Sequence, residues 1–325
     1  MVSAHHPNRA RYFLLLNCLL AVSFPAESLF ASESEQANLW LDKMATAIRE
    51  QTYDGIFTYM RGHDLDTVRI VHNYSDGKEF ERLVHLNGEP REVIRTNDEV
   101  ICHHANEDSA DLNHGMALGP FSRAFSDNIS ALQNYYHFSL QGHDRVAGRG
   151  TVKLNISPKH TDRYGYKLWL DDQTGLLLQS RLVYKGRVLE VFQFSRVEIG
   201  ERIAESQLVS SIGDGSVQHK LTPEFAKEEI GEAEWRVSWL PAGFKRSMNV
   251  QRGRNTVLFT DGIATFSVFV EKQRNSGLSD LSTRMGGTVV ISRRLRGSGQ
   301  QITVVGELPI KIAQKVADNV EPVIY

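Results

Sequence analysis

The sequence predicts an α+β protein: a large antiparallel sheet packed on helices, followed by a smaller α+β domain. Three strands in succession, Gly165–Leu170, Leu176–Tyr184 and Arg187–Val197, are joined by Asp171-Asp172-Gln173-Thr174-Gly175 and by Lys185-Gly186. Their glycines accept φ > 0, so the stretch reads as a meander. A second run, Thr256–Thr260, Thr265–Glu271, Thr288–Leu295 and Gln301–Gly306, ends in a helical segment, Pro309–Asn319. At 325 residues the chain exceeds what one hydrophobic core usually serves. Charge divides along the same line: residues 233–325 carry 13 Lys and Arg against 7 Asp and Glu, residues 32–232 carry 22 against 31.

From the N-terminus, His5, His6, Arg9 and Arg11 precede the apolar stretch Tyr12–Phe24, and Ala26, Ser28 and Ala31 offer cleavage sites. This is the pattern of a secretory signal peptide over residues 1–31, with an apolar run too short to span a bilayer comfortably. Cys18 follows Leu16-Asn17 and does not read as a lipidation site. The mature chain is expected to be exported and soluble, with Cys102 as its single thiol. Cys102-His103-His104 does not make a metal site, because the two imidazoles point to opposite sides of a strand.

Next comes a helix over Asn38–Glu50, with Leu39, Trp40, Met44, Ala47 and Ile48 giving it an apolar side. Strands Tyr53–Met60, Asp66–Tyr74 and Lys78–Leu86 are separated by Arg61-Gly62-His63-Asp64 and Ser75-Asp76-Gly77, and Val93–Thr96 with Glu99–His103 forms another hairpin. Asn106–Asp127, rich in Asp, Asn, Gly and Ser, reads as a long loop available to gate a cavity, with a short helix near Ile129–Tyr136 after it. Tyr136–Gln141, Thr151–Ile156 and the meander complete the sheet. Apolar residues fall on both faces of the meander, which fits either a sheet sandwiched between core and helix or a curved half-barrel around an apolar cavity. Residues 203–232, broken by Gly213-Asp214-Gly215-Ser216 and Thr222-Pro223, form the linker between domains 32–202 and 233–325.

Catalytic signatures are missing: there is no G-x-S-x-G elbow, no H-E-x-x-H pair and no P-loop, and Gly213-Asp214-Gly215 lacks the third glycine of a dinucleotide loop. The chain is therefore read as a binder, without catalytic residues, cofactor or metal. Arg252, Arg254, Arg284, Arg293, Arg294 and Arg296 make the C-terminal basic surplus. In an exported protein it would meet an acidic protein segment or anionic lipid headgroups rather than nucleic acid.

Several blocks resemble the RseB/MucB family: Trp40-Leu41-Asp42-Lys43-Met44 with Tyr53-Asp54-Gly55-Ile56-Phe57-Thr58-Tyr59, Leu168-Trp169-Leu170-Asp171 through Leu176, Trp239-Leu240-Pro241-Ala242-Gly243-Phe244, Thr260-Asp261-Gly262, Phe266-Ser267-Val268-Phe269-Val270 and Val304-Val305-Gly306-Glu307-Leu308-Pro309. The family comprises periplasmic negative regulators of the envelope-stress sigma factor. The resemblance implies a protein that binds the periplasmic part of a membrane-anchored anti-sigma factor and shields it from site-1 proteolysis. It also implies an N-terminal half-barrel similar to LolA/LolB carriers, and release by lipopolysaccharide or lipoprotein signals. On that basis Phe57, Tyr59, Phe80, Trp169, Phe192 and Phe194 are the candidate walls of an acyl-chain cavity, and the six arginines the candidate contacts for the partner or lipid phosphates. A plain periplasmic lipid or lipoprotein carrier is the competing reading, and self-association is left open.

Overall fold

A computed structural model describes residues 1–2, 33–96, 99–104, 132–212, 217–221, 235–247, 255–272, 280–295 and 299–323. In order, the larger part contains α1 (Glu33–Glu50), β1 (Tyr53–Arg61), β2 (Asp64–Ser75), β3 (Lys78–His85), β4 (Arg91–Thr96), β5 (Val100–His104), β6 (Tyr136–Val146), β7 (Arg149–Pro158), β8 (Gly165–Asp171), β9 (Leu177–Tyr184), β10 (Arg187–Ile199) and β11 (Val217–Leu221). The smaller part contains β12 (Trp235–Val237), β13 (Lys245–Arg246), β14 (Thr256–Thr260), β15 (Thr265–Lys272), β16 (Ser282–Met285), β17 (Thr288–Arg294), β18 (Gln300–Glu307), α2 (Ile310–Asp318) and β19 (Val320–Pro322).

The first group forms an open antiparallel sheet of 11 strands in the order β11-β5-β4-β3-β2-β1-β10-β9-β8-β7-β6. The second forms a sheet of 6 strands, β13-β14-β15-β18-β17-β16, beside the short pair β12-β19. The expected α+β class holds, with hairpin neighbours pairing as the turn sequences require. β11 lies inside the segment expected to be linker, which also holds one 3-10 turn at Glu205–Gln207. The gating loop expected over Asn106–Asp127 lies outside the described residues.

Each sheet has its own core. α1 lays Ala37, Leu41, Met44 and Ala47, none more than 2% exposed, into a cluster with Val68, Leu154, Ile156, Leu168, Leu170 and Phe194. That spacing defines a different stripe from the expected one: Leu39 sits two residues from Ala37 and from Leu41, turns away from both, and is exposed. In the second core α2 buries Ala313, Val316 and Ala317 against Val289, Ile291 and Val304. Pro309 precedes its first turn, where the missing N–H costs nothing. Ile263, from the turn between β14 and β15, belongs to the larger sheet's cluster rather than to its own.

Candidate functional site

Among the described residues two polar contacts join the sheets, both involving residues at the entry to β8. In the turn after β14, Asp261 Oδ1 accepts hydrogen bonds from the backbone N–H groups of Ile263 (3.0 Å) and Ala264 (2.9 Å), the local Asx geometry that makes Asp a turn residue. Its other oxygen is left for the larger sheet. Oδ2 accepts from Tyr136 Oη at 2.8 Å and from Arg163 Nη1 at 2.8 Å. Arg163 is wholly buried. Its Nη2 donates to Ala242 O at 2.6 Å, Nε and Nη2 grip Asp162 at 2.9 and 3.1 Å, and the guanidinium lies 5.0, 5.5 and 5.4 Å from the rings of Tyr135, Tyr136 and Phe244. Burial opposes this charge, but hydrogen bonding to Asp162 and the Asp261 carboxylate outweigh it, so the guanidinium is held more firmly protonated than usual. Gly243, at φ 87°, lets the chain reach Tyr135: a Cβ there would stand 2.4 Å from the ring.

The second contact lies along one row of the larger sheet. Tyr166 pairs with Leu182 and Leu182 with Glu190, so all three side chains share a face. The β16–β17 hairpin docks on this row through Gly287, whose N–H donates to Glu190 Oε1 at 2.7 Å. The fit excludes a side chain, since a Cβ on Gly287 would be 2.1 Å from Leu182 Cδ2. Glu190 Oε2 accepts from Tyr59 Oη. Beside it, Tyr166 Oη donates to Glu307 Oε2 at 3.2 Å and Tyr164 Oη donates to Leu308 O at 2.5 Å. Burial, with the Glu190 charge added, pushes the Glu307 carboxyl up to about 7.

A family model for the MucB/RseB N-terminal domain matches residues 36–212, and one for the MucB/RseB C-terminal domain matches residues 229–321. This chain belongs to the MucB/RseB family. It is 37% identical over 321 residues to the sigma factor AlgU regulatory protein MucB of Pseudomonas aeruginosa, covering 95% of this chain and 96% of that one. It is 29% identical over 308 residues to the sigma-E factor regulatory protein RseB of Haemophilus influenzae, covering 93% and 96%. Its fold superposes with a TM-score of 0.71 on a solved complex of Pseudomonas aeruginosa MucA/MucB, at 33% identity, across 89% of this chain and 100% of that chain.

Within this MucB/RseB fold the six aromatic candidates divide. Phe57, Phe192 and Phe194 come together, their centroids 4.9, 5.9 and 5.3 Å apart, and Tyr59 shares their face. All three phenylalanines are buried in the larger core. Trp169, paired with Lys153 and Gln179, and Phe80, paired with Asn73 and Thr96, stand on the reverse face and do not join them. Arg181 covers the Trp169 ring at 4.9 Å, and Trp169 Nε1 donates to Asp144 at 3.0 Å. A cavity of about 330 Å³ lies on the reverse face, lined by Asp54, Gly55, Ile56, Arg69, Arg196 and Glu198, and one of about 420 Å³ adjoins Lys159, Lys167 and Tyr184. Neither is lined by any of the six aromatics.

The arginines divide as well. Arg284 and Arg294 are exposed on β16 and β17, and Arg293 is half-buried with Nη1 donating to Ser292 O at 2.9 Å. Arg293 shares the α2 side of the sheet with Val289 and Ile291, while Arg294 points away from it. Arg252, Arg254 and Arg296 lie outside the described residues. Cys102 is a buried free thiol. Among the described residues no cluster of three or more His, Cys, Asp or Glu side chains could hold a metal ion. The junction residues Arg163, Tyr136 and Glu190 were not sequence candidates. The local signals were the blocks Thr260-Asp261-Gly262, Ala242-Gly243-Phe244 and Glu307-Leu308, whose residues now have a structural reason at the junction.

Proposed function

We propose that this protein is a periplasmic regulator that binds the periplasmic segment of a membrane-anchored anti-sigma factor and shields that segment from regulated proteolysis, without catalytic turnover of its own. The observation that carries the reading is the 37% identity, across 95% of the chain, to a protein named as a regulator of the AlgU sigma factor. The likeness to a MucB solved together with MucA supports the choice of partner. Periplasmic residence is supported by the signal-peptide pattern of the first 31 residues. Among the described residues no helix is long and apolar enough to cross a membrane.

Within this reading residues 32–202 and 233–325 are the two working domains, joined through 203–232. For an acyl chain to be sensed at Phe57, Tyr59, Phe192 and Phe194, as this reading requires, their packed cluster has to part, because neither cavity reaches it. Arg284, Arg293 and Arg294, with Arg252, Arg254 and Arg296, meet an acidic stretch of the partner or lipid phosphates, for which the guanidinium fork is suited. A lipid can release the partner only if it binds the released form better than the complex.

The test uses the mature chain with the purified periplasmic region of its cognate anti-sigma factor. Calorimetry should give stoichiometric binding, and cleavage by the site-1 protease should slow in proportion to occupancy. Unchanged cleavage at saturating protein would refute the function. Lipid transfer between vesicles without partner binding would favour a carrier instead.

A further inference from the structure

The contact at Glu190 and Glu307 has a property that the first contact lacks. Around Asp261 the carboxylates meet the Arg163 cation, whereas here one carboxylate from each sheet is held at the same row: Glu190 is the strand partner of Leu182, and Glu307 takes the hydroxyl of Tyr166, the partner on the other side of Leu182. Glu190 has a donor for each oxygen, the Gly287 N–H and the Tyr59 hydroxyl, which suits an anion. Glu307 receives the Tyr166 hydroxyl at 3.2 Å. The other titratable or charged groups close enough to act on this cluster are Arg61 at the end of β1, Tyr164 ahead of β8, Asp261 and Tyr136 from the first contact, and Arg284 on β16. Two like charges placed there in a half-buried joint repel unless one of them is neutralised by a proton.

We propose that Glu190 and Glu307 form a proton-operated latch between the two sheets, closed when Glu307 holds a proton and loosened when it gives that proton up. The smaller sheet grips the larger one here by the Gly287 N–H, the Tyr164 and Tyr166 hydroxyls and the fit of a side-chain-free hairpin against Leu182. These are contacts that a small separation breaks together. Each sheet keeps its own helix and core, and among the described residues Ile263 alone has to leave the other sheet's cluster for the halves to part fully. A compartment whose acidity follows the surroundings would thereby set how firmly the two halves are held. The latch is a property of the free protein and stands whether or not the partner assigned above is correct.

The sign follows from linkage. The closed joint holds the Glu307 proton more tightly than an open one, so its contribution is complete below the ordinary Glu value of 4.5 and is lost as pH rises through about 7. With those two values, closing weakens about tenfold between about pH 6 and about pH 8.5. The readout is hydrogen exchange of the Gly287 amide in the mature chain, corrected for intrinsic base catalysis. The wild-type protection factor should fall by about that factor, and Glu307→Gln, which mimics the protonated side chain, should hold protection level across the range. A level wild-type profile, or an equal fall in Glu307→Gln, would overturn the latch. Small-angle scattering of the wild-type chain at the two pH extremes decides the matter if the variant does not fold: identical distance distributions would overturn it, and a broader distribution at the higher pH would support it.

Discussion

Arg163→Met is the perturbation that weighs the first junction contact. It removes the cation facing Asp261 Oδ2 at 2.8 Å, the donor to Ala242 O and the group stacked among Tyr135, Tyr136 and Phe244. Asp261 Oδ1 keeps its two backbone donors, but Oδ2 keeps only the Tyr136 hydroxyl. Stranding one member of a buried ion pair costs about 3–5 kcal/mol. The lost stacking places this site toward the upper end, at about 5 kcal/mol. In a chain of this size, at about 2.1 cal/mol/K of unfolding entropy per residue, that corresponds to roughly 7 to 8 °C in melting temperature. Asp261→Asn alone should cost about 3 kcal/mol, because its amide would set donors against the donors of Arg163 and Tyr136. The double variant should cost less than the sum, with a coupling on the order of 2–3 kcal/mol. Urea titration followed by tryptophan fluorescence measures all four proteins. The two charges come from different sheets, so the single variants should also split one transition into two as the sheets part before either core melts. A single variant within about 1 kcal/mol of wild type, or strictly additive costs, would refute the reading of this ion pair as a tie between the sheets.

Arg82 and Glu92 form a buried bidentate pair, at 2.9 Å for both bonds, that Ser211 completes by donating to Glu92. Burial pushes Glu92 up, but the bonds from Arg82 and Ser211 outweigh it and hold the carboxyl below its ordinary 4.5, so its contribution is present above that value and lost as pH falls through the depressed folded value. Glu92→Gln should therefore flatten the acid limb of the stability curve and free the segment around Ser211, seen as faster tryptic cleavage after Arg202. Gly287→Ala forces a methyl group to within 2.1 Å of Leu182 Cδ2 and should cost about 1–3 kcal/mol, measured by thermal melting. Phe194→Ala, at a site 2% exposed and ringed by Tyr53, Phe57 and Phe192, should cost about 3–5 kcal/mol, and a loss below about 1 kcal/mol would mean that the aromatic cluster is not packed core.

Local period made the strands legible. The β2 hairpins, the meander and α2 all announce themselves through turn glycines and alternation. Alternation, however, fixes a side chain's face only within its own strand. Register decides which residues of neighbouring strands share that face, and it shifts at Ile56/Phe57, Val188/Glu190 and Trp169/Leu170. Trp169 pairs with Gln179, which pairs with Gln193, and Phe80 pairs with Asn73, so both face away from Phe57, Phe192 and Phe194, a placement set by pairing across strands and not by alternation within one. The junction was hidden for a different reason. Arg163 and Asp261 are separated by 98 positions, and each is a single polar residue with no period to betray it. β11 was hidden because five residues between breakers carry too little pattern to separate a strand from linker.

The polar character of the junction bears on regulation. If the two sheets were joined by a continuous apolar core, parting them would expose that core, and release would amount to unfolding. Here, among the described residues, only Ile263 crosses into the other sheet's cluster. The remaining ties are an arginine among carboxylates, tyrosine hydroxyls on backbone and carboxylate oxygens, and one glycine N–H. Such bonds exchange for water at small net cost when they open together, and they are orientation-specific when they close. An interface of this kind holds the two sheets in one arrangement while keeping a second within reach, which is the physical requirement that the proposed function sets: to protect a partner first and let it go later.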